Sequence, residues 1–238
     1  PAGITRFHTQ HLGPLFAEKH PDVELILGTM NTASTDVFEE ILKDPDLHNY
    51  VKGIGFQWEG GSALPEIARR HPEYTLQQTE SECGSGTFDW NAAQHTFQLI
   101  NHYLANGCEK YTYWNAILKD RGVSTWGWVQ NALIQVNSAN KTATYTPEYY
   151  AMKHYTHFIE PGSVVLKGSS EHSMVLACRT PENAIVIVAG NLENTPRTLT
   201  MQVDTKYIST TLPARSFNSF ILGNENAQLN VLVEEASA

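Results

Sequence analysis

The chain of 238 residues predicts an α/β region built on parallel strands, followed by an all-β sandwich. Three observations carry that reading. Up to about residue 118, short apolar segments alternate with helical patterns at a spacing of roughly 25–30 residues, which is the rhythm of βα units. Beyond Glu160 the texture changes to short β-rich runs separated by Pro, Gly, Asn and Glu, spaced as in a β-sandwich. The first region offers four strand segments, too few to close an eight-stranded barrel, so it is half of such a barrel or an open sheet. The boundary is placed so that 1–159 form the α/β domain and 160–238 the sandwich domain.

In chain order, Ile4–Lys19 reads as a helix with Phe7, Leu12, Leu15 and Phe16 as its apolar members and a break or kink at Gly13-Pro14. Val23–Leu27 is a buried strand that exits through Gly28-Thr29-Met30-Asn31. Ser34 or Thr35 caps a helix over Asp36–Lys43. Lys52–Trp58 is the second strand, leaving at Gln57, Trp58 and Glu59. A short helix, Ala63–Arg70, precedes the third strand, Tyr74–Thr79. That strand stops at Glu80 and Glu82, and a Gly84-Ser85-Gly86 turn follows. Thr87–Asn106 is the clearest helix, because Ala93, Phe97, Ile100 and Leu104 recur as one apolar stripe. Lys110–Asn115 is the fourth strand and exits at Trp114-Asn115.

Past that strand, Ser124–Gln130 is a Trp-rich loop, and Leu133–Val136 with Ala143–Tyr145 forms a hairpin. Pro147–Ile159 reads as a helix with Tyr149, Met152, Thr156 and Ile159 on one face. Seven strands then follow, over Ser163–Leu166, Met174–Cys178, Ala184–Ala189, Thr198–Val203, Tyr207–Leu212, Phe217–Leu222 and Leu229–Val233.

Composition narrows the function classes. Hydrophobic residues at 41% and charged ones at 17% describe an ordinary globular protein. No apolar run approaches the roughly 20 residues of a transmembrane helix, so no stable membrane insertion is expected. The net charge of −9, without a Lys/Arg cluster, argues against nucleic acid or an anionic membrane as the main partner, and leaves a neutral sugar open. Three cysteines (Cys83, Cys108, Cys178) make at most one bridge, and neither they nor the scattered histidines have metal-ligand spacing. Neither a metal nor a cofactor is expected. Asn140-Lys141-Thr142 matches the N-glycosylation sequon, a pattern frequent by chance. The start, Pro1-Ala2-Gly3, has no initiator Met and no signal-like segment, which predicts the interior of a longer chain.

Three strand exits place aromatics or amides beside acids: Gln57-Trp58-Glu59, Thr79–Glu82 and Trp114-Asn115. On neighbouring parallel strands these groups converge on one face. Flat Trp rings suit the C–H faces of a sugar, and Gln, Asn and Glu can hydrogen-bond its hydroxyls. Core packing is the plainer role for Trp58 or Trp114 taken singly, but both at strand ends beside polar groups point to a pocket. Trp126 and Trp128 fit a pocket or a loop equally. A carboxylate among such residues suggests glycoside hydrolysis, which uses two carboxyl groups. Glu80 leaves its strand directly, so its backbone is better fixed than that of Glu82, two residues into the turn.

The runs Q-T-E-S-E-C-G at Gln78–Gly84, Y-W-N at Tyr113–Asn115 and S-T-W-G-W-V-Q at Ser124–Gln130 resemble glycoside hydrolase family 30, whose best-known member type is glucosylceramidase. The opening R-F-H-T-Q-H-L-G-P-L resembles the family's helix before the fifth barrel strand. G-I-G-F-Q-W resembles its sixth strand, where many members carry His in place of Gln57. The resemblance covers nearly the whole chain. It implies the C-terminal half of a (β/α)₈ TIM barrel, strands five to eight, followed by a β-sandwich. It also implies a retaining mechanism with Glu80 as nucleophile, and substrate contacts from Trp58, Trp114, Gln57 and Trp126. The implied substrate is a β-glucoside, with an endo-β-1,6-glucanase or xylanase of the same family as the alternative, and the implied setting is extracellular or lysosome-like. A reading from a different class is a non-catalytic carbohydrate-binding protein built from a half barrel and a sandwich. The family's acid/base carboxylate usually stands in Asn-Glu-Pro after the fourth strand, and no such triplet occurs in these residues. Asn224-Glu225 lies in the sandwich region and is followed by Asn226. The resemblance therefore predicts that a missing N-terminal half carries the acid/base.

Overall fold

The computed structural model describes residues 1–82, 84–167, 174–203, 206–223 and 230–235. Cys83, Asn224-Glu225 and the first residue of the strand expected at Leu229 lie outside the described residues. Contacts divide the chain into two compact units, Pro1–Glu82 with His102–Trp114, and Cys83–Asn101 with Asn115–Ala238.

The first unit opens with helix α1 (Ala2–Phe7), which runs through a π-helical turn (His8–Leu12) into α2 (Gly13–Lys19). The break or kink expected at Gly13-Pro14 takes the form of this π turn. Pro14 has no N–H to donate, and the wider turn accommodates its ring without stopping the helix. Gly13 is required here, since a Cβ would stand 2.3 Å from the Tyr50 ring. The apolar members Phe7 and Leu15 are half-exposed, at 51% and 50%.

Four strands follow with helices between them: β1 (Leu25–Met30), α3 (Thr35–Leu42), β2 (Val51–Gln57), α4 (Gly60–Arg70), β3 (Thr75–Glu80), α5 (Trp90–Ala105) and β4 (Cys108–Tyr111). The strands pair in parallel and in sequence order, β1-β2-β3-β4. Leu27, Ile54, Phe56, Phe38, Ile41, Leu64 and Ile67 are fully buried, as parallel strands covered by helices require. β1 starts later than the sequence suggests and takes in Gly28-Thr29-Met30, which had been read as its exit loop. β4 is shorter than expected, so Trp114 and Asn115 stand beyond its end.

Helix α4 begins three residues earlier than expected, at Gly60-Gly61. A Cβ on Gly60 would come within 2.1 Å of the Met30 carbonyl oxygen, so only glycine lets the helix start against the end of β1. Pro65 lies inside α4 and cannot donate to the Gly61 carbonyl one turn back. His102 Nε2 takes that oxygen instead, at 2.7 Å.

The second unit contains the first part of α5 and a small sheet, β5 (Ile117–Lys119), β6 (Ile134–Asn137) and β7 (Thr142–Tyr145). β6 and β7 form the expected antiparallel hairpin, and β5 adds a parallel edge. Helix α6 (Pro147–Thr156) is capped by Thr146, whose hydroxyl accepts from the Tyr149 N–H at 3.3 Å, with Pro147 in its first turn. Its buried residues are Glu148, Ala151, His154 and Tyr155, not the face of Tyr149, Met152, Thr156 and Ile159 read from hydropathy.

The remaining strands are β8 (Val164–Val165), β9 (Val175–Arg179), β10 (Ile185–Asn191), β11 (Arg197–Val203), β12 (Lys206–Leu212), β13 (Ser216–Leu222) and β14 (Asn230–Glu235). One antiparallel sheet runs β14-β13-β10-β9-β8, and β11-β12 is a separate hairpin. Ile187, Ala189 and Phe220 from the sheet pack with Leu199, Met201 and Leu212 from the hairpin, which makes the sandwich core. Trp90 and Phe97 of α5 both stack on Phe217 from β13, with centroids 4.7 and 4.3 Å away. His154 Nδ1 meets the Ser219 hydroxyl at 2.9 Å, which explains how α6 buries a histidine.

Among the described residues, no helix is long and apolar enough to cross a membrane, and no group of three His, Cys, Asp or Glu could hold a metal ion. Cys108 and Cys178 are free and buried, and burial pushes their thiols up to about 12 and about 11.

Candidate active site

Glu80 is the last residue of β3, and an irregularity in the ladder aims it. Phe56 of β2 pairs with Gln78, and the next residue, Gln57, pairs with Glu80. Thr79 is therefore an extra residue on β3, a bulge of the kind that redirects a side chain at a strand end. The Thr79 hydroxyl lies 3.1 Å from the Phe56 carbonyl oxygen, and it also meets the hydroxyl of Thr29 on β1. Three adjacent strands thus tie down the residue before Glu80.

The Glu80 carboxylate is met by two neutral N–H donors. Trp58 Nε1–H donates to Oε1 at 2.8 Å. The Gln57 amide faces the same carboxylate, and because ionised oxygens only accept, its NH₂ is assigned toward them, 3.1 Å from Oε1 and 3.2 Å from Oε2. Hydrogen bonds to an ionised group are about twice as strong as neutral ones. Trp58 reaches this position from a left-handed backbone conformation with φ 46°, which is rare for a bulky residue. Its surroundings hold it there: the Trp58 carbonyl accepts from Gly61 N–H at 3.1 Å, and Glu59 N–H donates to Asn31 Oδ1 at 3.2 Å. The Trp114 ring stands edge-on to Trp58, with centroids 6.3 Å apart and planes at 74°.

Trp114 lies past the end of β4, and side chains of β3 and its exit take over from the ladder. Thr112 N–H donates to the Gln78 side-chain oxygen at 2.7 Å, and Trp114 N–H donates to Ser81 Oγ at 2.9 Å. Gln78 and Ser81 are nearly inaccessible, at 1% and 3%. Sequence reasoning missed both, although a polar residue at an inward position of an otherwise buried strand is the available signal. Tyr103 and Tyr111 lie behind them. Burial, with smaller contributions that include the Glu82 charge, raises both phenols, Tyr103 to about 12, so they stay neutral.

The structure therefore brings together Gln57, Trp58, Glu80 and Trp114, all within the first unit. Glu82 sits just past the strand, and Trp58 and Gln57 both turn to Glu80. Asn115 and Trp126 belong to the second unit. Asn115 reaches the Asn131 carbonyl at 3.5 Å, and Trp126 stands 78% exposed against Trp128, with centroids 5.7 Å apart.

A further carboxylate that sequence reasoning passed over lies in the second unit. Asn131 accepts from Gly86 N–H at 2.6 Å, donates to the Thr87 carbonyl at 2.9 Å, and donates to Oε1 of Glu148. Glu148 is 1% exposed, and its Oε2 has no partner among the described residues. Burial raises its pKa above the ordinary 4.5.

Residues 4–159 match the profile of the glycosyl hydrolase family 30 TIM-barrel domain, and residues 162–220 match that of the family's β-sandwich domain. A mouse (Mus musculus) protein named lysosomal acid glucosylceramidase is 26% identical over 239 residues, which cover 90% of this chain and 45% of the mouse protein. The chain thus spans about half the length of the curated relatives it matches. Among solved structures, SrfJ from Salmonella typhimurium superposes with a TM-score of 0.83 at 21% identity, covering 93% of this chain and 52% of that one. An endo-β1,6-glucanase superposes with a TM-score of 0.77 at 19% identity, covering 93% and 53%.

Proposed function

The chain belongs to glycosyl hydrolase family 30, and from that premise we propose that it carries the nucleophile portion of a retaining β-glycosidase with glucosylceramidase-like specificity for β-glucosides. The observation that carries this reading is the grip of Trp58 and Gln57 on Glu80 at the end of β3. The name of the mouse relative, lysosomal acid glucosylceramidase, favours a glucoside and a lysosomal setting.

In this reading Glu80 attacks the anomeric carbon. The Oε–C1 bond forms as the bond from C1 to the leaving oxygen breaks, and a general acid gives that oxygen its proton. Water then releases the sugar from Glu80. Trp58 and Gln57 hold the carboxylate in one rotamer, so the attacking oxygen is already in place. Trp114 offers an aromatic surface to the sugar beside Trp58. The acid/base carboxylate is supplied by barrel strands preceding Pro1, as part of the same enzyme.

The test uses 2-deoxy-2-fluoro-β-glucosyl fluoride, because fluoride leaves with little protonation. The chain is incubated with this reagent after assembly with the preceding barrel portion, and peptides are mapped. Label on Glu80 is expected. Label on Glu82 or Glu59 overturns the assignment. Label at Glu80 only from a fluorinated gentiobiosyl reagent turns the specificity toward an endo-β-1,6-glucanase.

A further inference from the structure

Asn140-Lys141-Thr142 is the sole Asn-x-Ser/Thr triplet, x other than Pro, in the 238 residues. It falls at the tip of the β6–β7 hairpin, where the pair Asn137↔Thr142 closes a loop of residues 138–141. Every residue of 137–145 is exposed.

The loop is held at its base by groups other than Asn140. Asp120 accepts from Ser138 N–H at 2.9 Å and from the Ser138 hydroxyl at 2.5 Å. Asn137 Oδ1 accepts from the N–H groups of Ala139 and Asn140 at 3.0 and 3.2 Å. The Asn140 side chain is engaged through its oxygen alone, which accepts from Thr142 N–H at 3.2 Å and from the Thr142 hydroxyl at 2.6 Å. Its Nδ2 makes no hydrogen bond among the described residues. Lys141, between them, has φ 57°, which bends the backbone so that residues 140 and 142 face each other.

We propose that Asn140 is an acceptor for an N-linked glycan. An amide nitrogen is a weak nucleophile because its lone pair is delocalised into the carbonyl. The Thr142 hydroxyl, donating to Oδ1, makes Nδ2–H more acidic, so the proton is more easily taken as the nitrogen attacks. The donor is an oligosaccharide linked through C1 to a lipid pyrophosphate. The Nδ2–C1 bond forms and the C1–O bond to pyrophosphate breaks. The amide proton passes to a base of the oligosaccharyl transferase, and the lipid pyrophosphate leaves. A bulky, hydrated glycan at this tip displaces no packed side chain.

The experiment secretes the full chain from a eukaryotic host behind a secretory leader. The product is treated with peptide-N-glycosidase in H₂¹⁸O, and the tryptic peptide spanning 122–141 is analysed by mass spectrometry. The expected result is a mobility shift on deglycosylation and conversion of Asn140 to an ¹⁸O-labelled aspartate. Asn140→Gln and Thr142→Ala should abolish the shift, while Thr142→Ser should keep it. Unmodified Asn140 in the secreted wild-type protein, or a shift that persists in Asn140→Gln, overturns the proposal. The wild-type peptide decides the question even where a variant fails to fold.

Discussion

Glu80 and Glu148 each meet a carboxamide, Gln57 in one case and Asn131 in the other, yet their surroundings differ in every other respect. Glu80 is half-buried, and both of its oxygens face N–H donors, with the Trp58 indole added to the Gln57 amide. Glu148 is buried, has a donor on Oε1 alone, and is pushed toward its neutral form. A buried carboxylate short of donors resists ionisation, and its neutral form suits a structural peg. A carboxylate with access to the surface and N–H dipoles aimed at each oxygen suits a nucleophile. Residue type alone does not separate the two roles. The number of donors per oxygen does.

The largest effect expected from breaking this contrast is on turnover. In the assembled enzyme Glu80→Gln should slow covalent labelling by about 10⁴-fold or more, because the amide cannot attack. Glu148→Gln should leave the labelling rate unchanged. Rates that fall equally in both variants would erase the distinction. A smaller effect isolates the indole. Trp58→Phe keeps an aromatic ring beside Trp114 and removes the donor to Oε1. A hydrogen bond to a charged group contributes about 1.5–3 kcal/mol, so labelling should slow about 10–150-fold while the chain stays folded. Loss of the fold instead would show Trp58 to be a packing residue.

The smallest effect is a pH dependence of stability. The folded-state pKa of Glu148 lies above its ordinary 4.5, so the folded chain keeps this proton after the unfolded chain releases it. The resulting stabilisation is complete below 4.5 and is lost as pH rises through the folded-state value. Glu148→Gln does not titrate. Melting curves at stepped pH should therefore show the variant gaining on the wild type as pH rises toward neutrality, by a few degrees. A constant difference across the range would mean that Glu148 is ionised in the folded protein.

How far sequence reasoning reaches follows from the same physics. The end of β3 was legible because a short β-rich run met an acid and a glycine turn before a helix with an apolar stripe. All seven strands of the last region were legible for a similar reason, since turn residues punctuate them. The buried face of α6 was not. Hydropathy favours Tyr149 and Met152, whereas the helix buries Glu148 and His154, whose partners Asn131 and Ser219 are 17 and 65 residues away. Periodicity counts apolar residues and is blind to a polar one satisfied from a distance. The same blindness hid Gln78 and Ser81, which carry the chain from the end of β4 to Trp114.

Thr79 makes the facing of Glu80, the proposed nucleophile, a matter of counting. Strand side chains alternate between two faces, so one extra residue changes which face every later residue occupies. Deleting Thr79 would leave Glu80 opposite Gln57, directly after Gln78, but would remove the hydroxyl that meets the Phe56 carbonyl oxygen and Thr29. The bulge lets Gln78 and Glu80, two residues apart, face opposite sides of the sheet, which an unbroken strand would not allow.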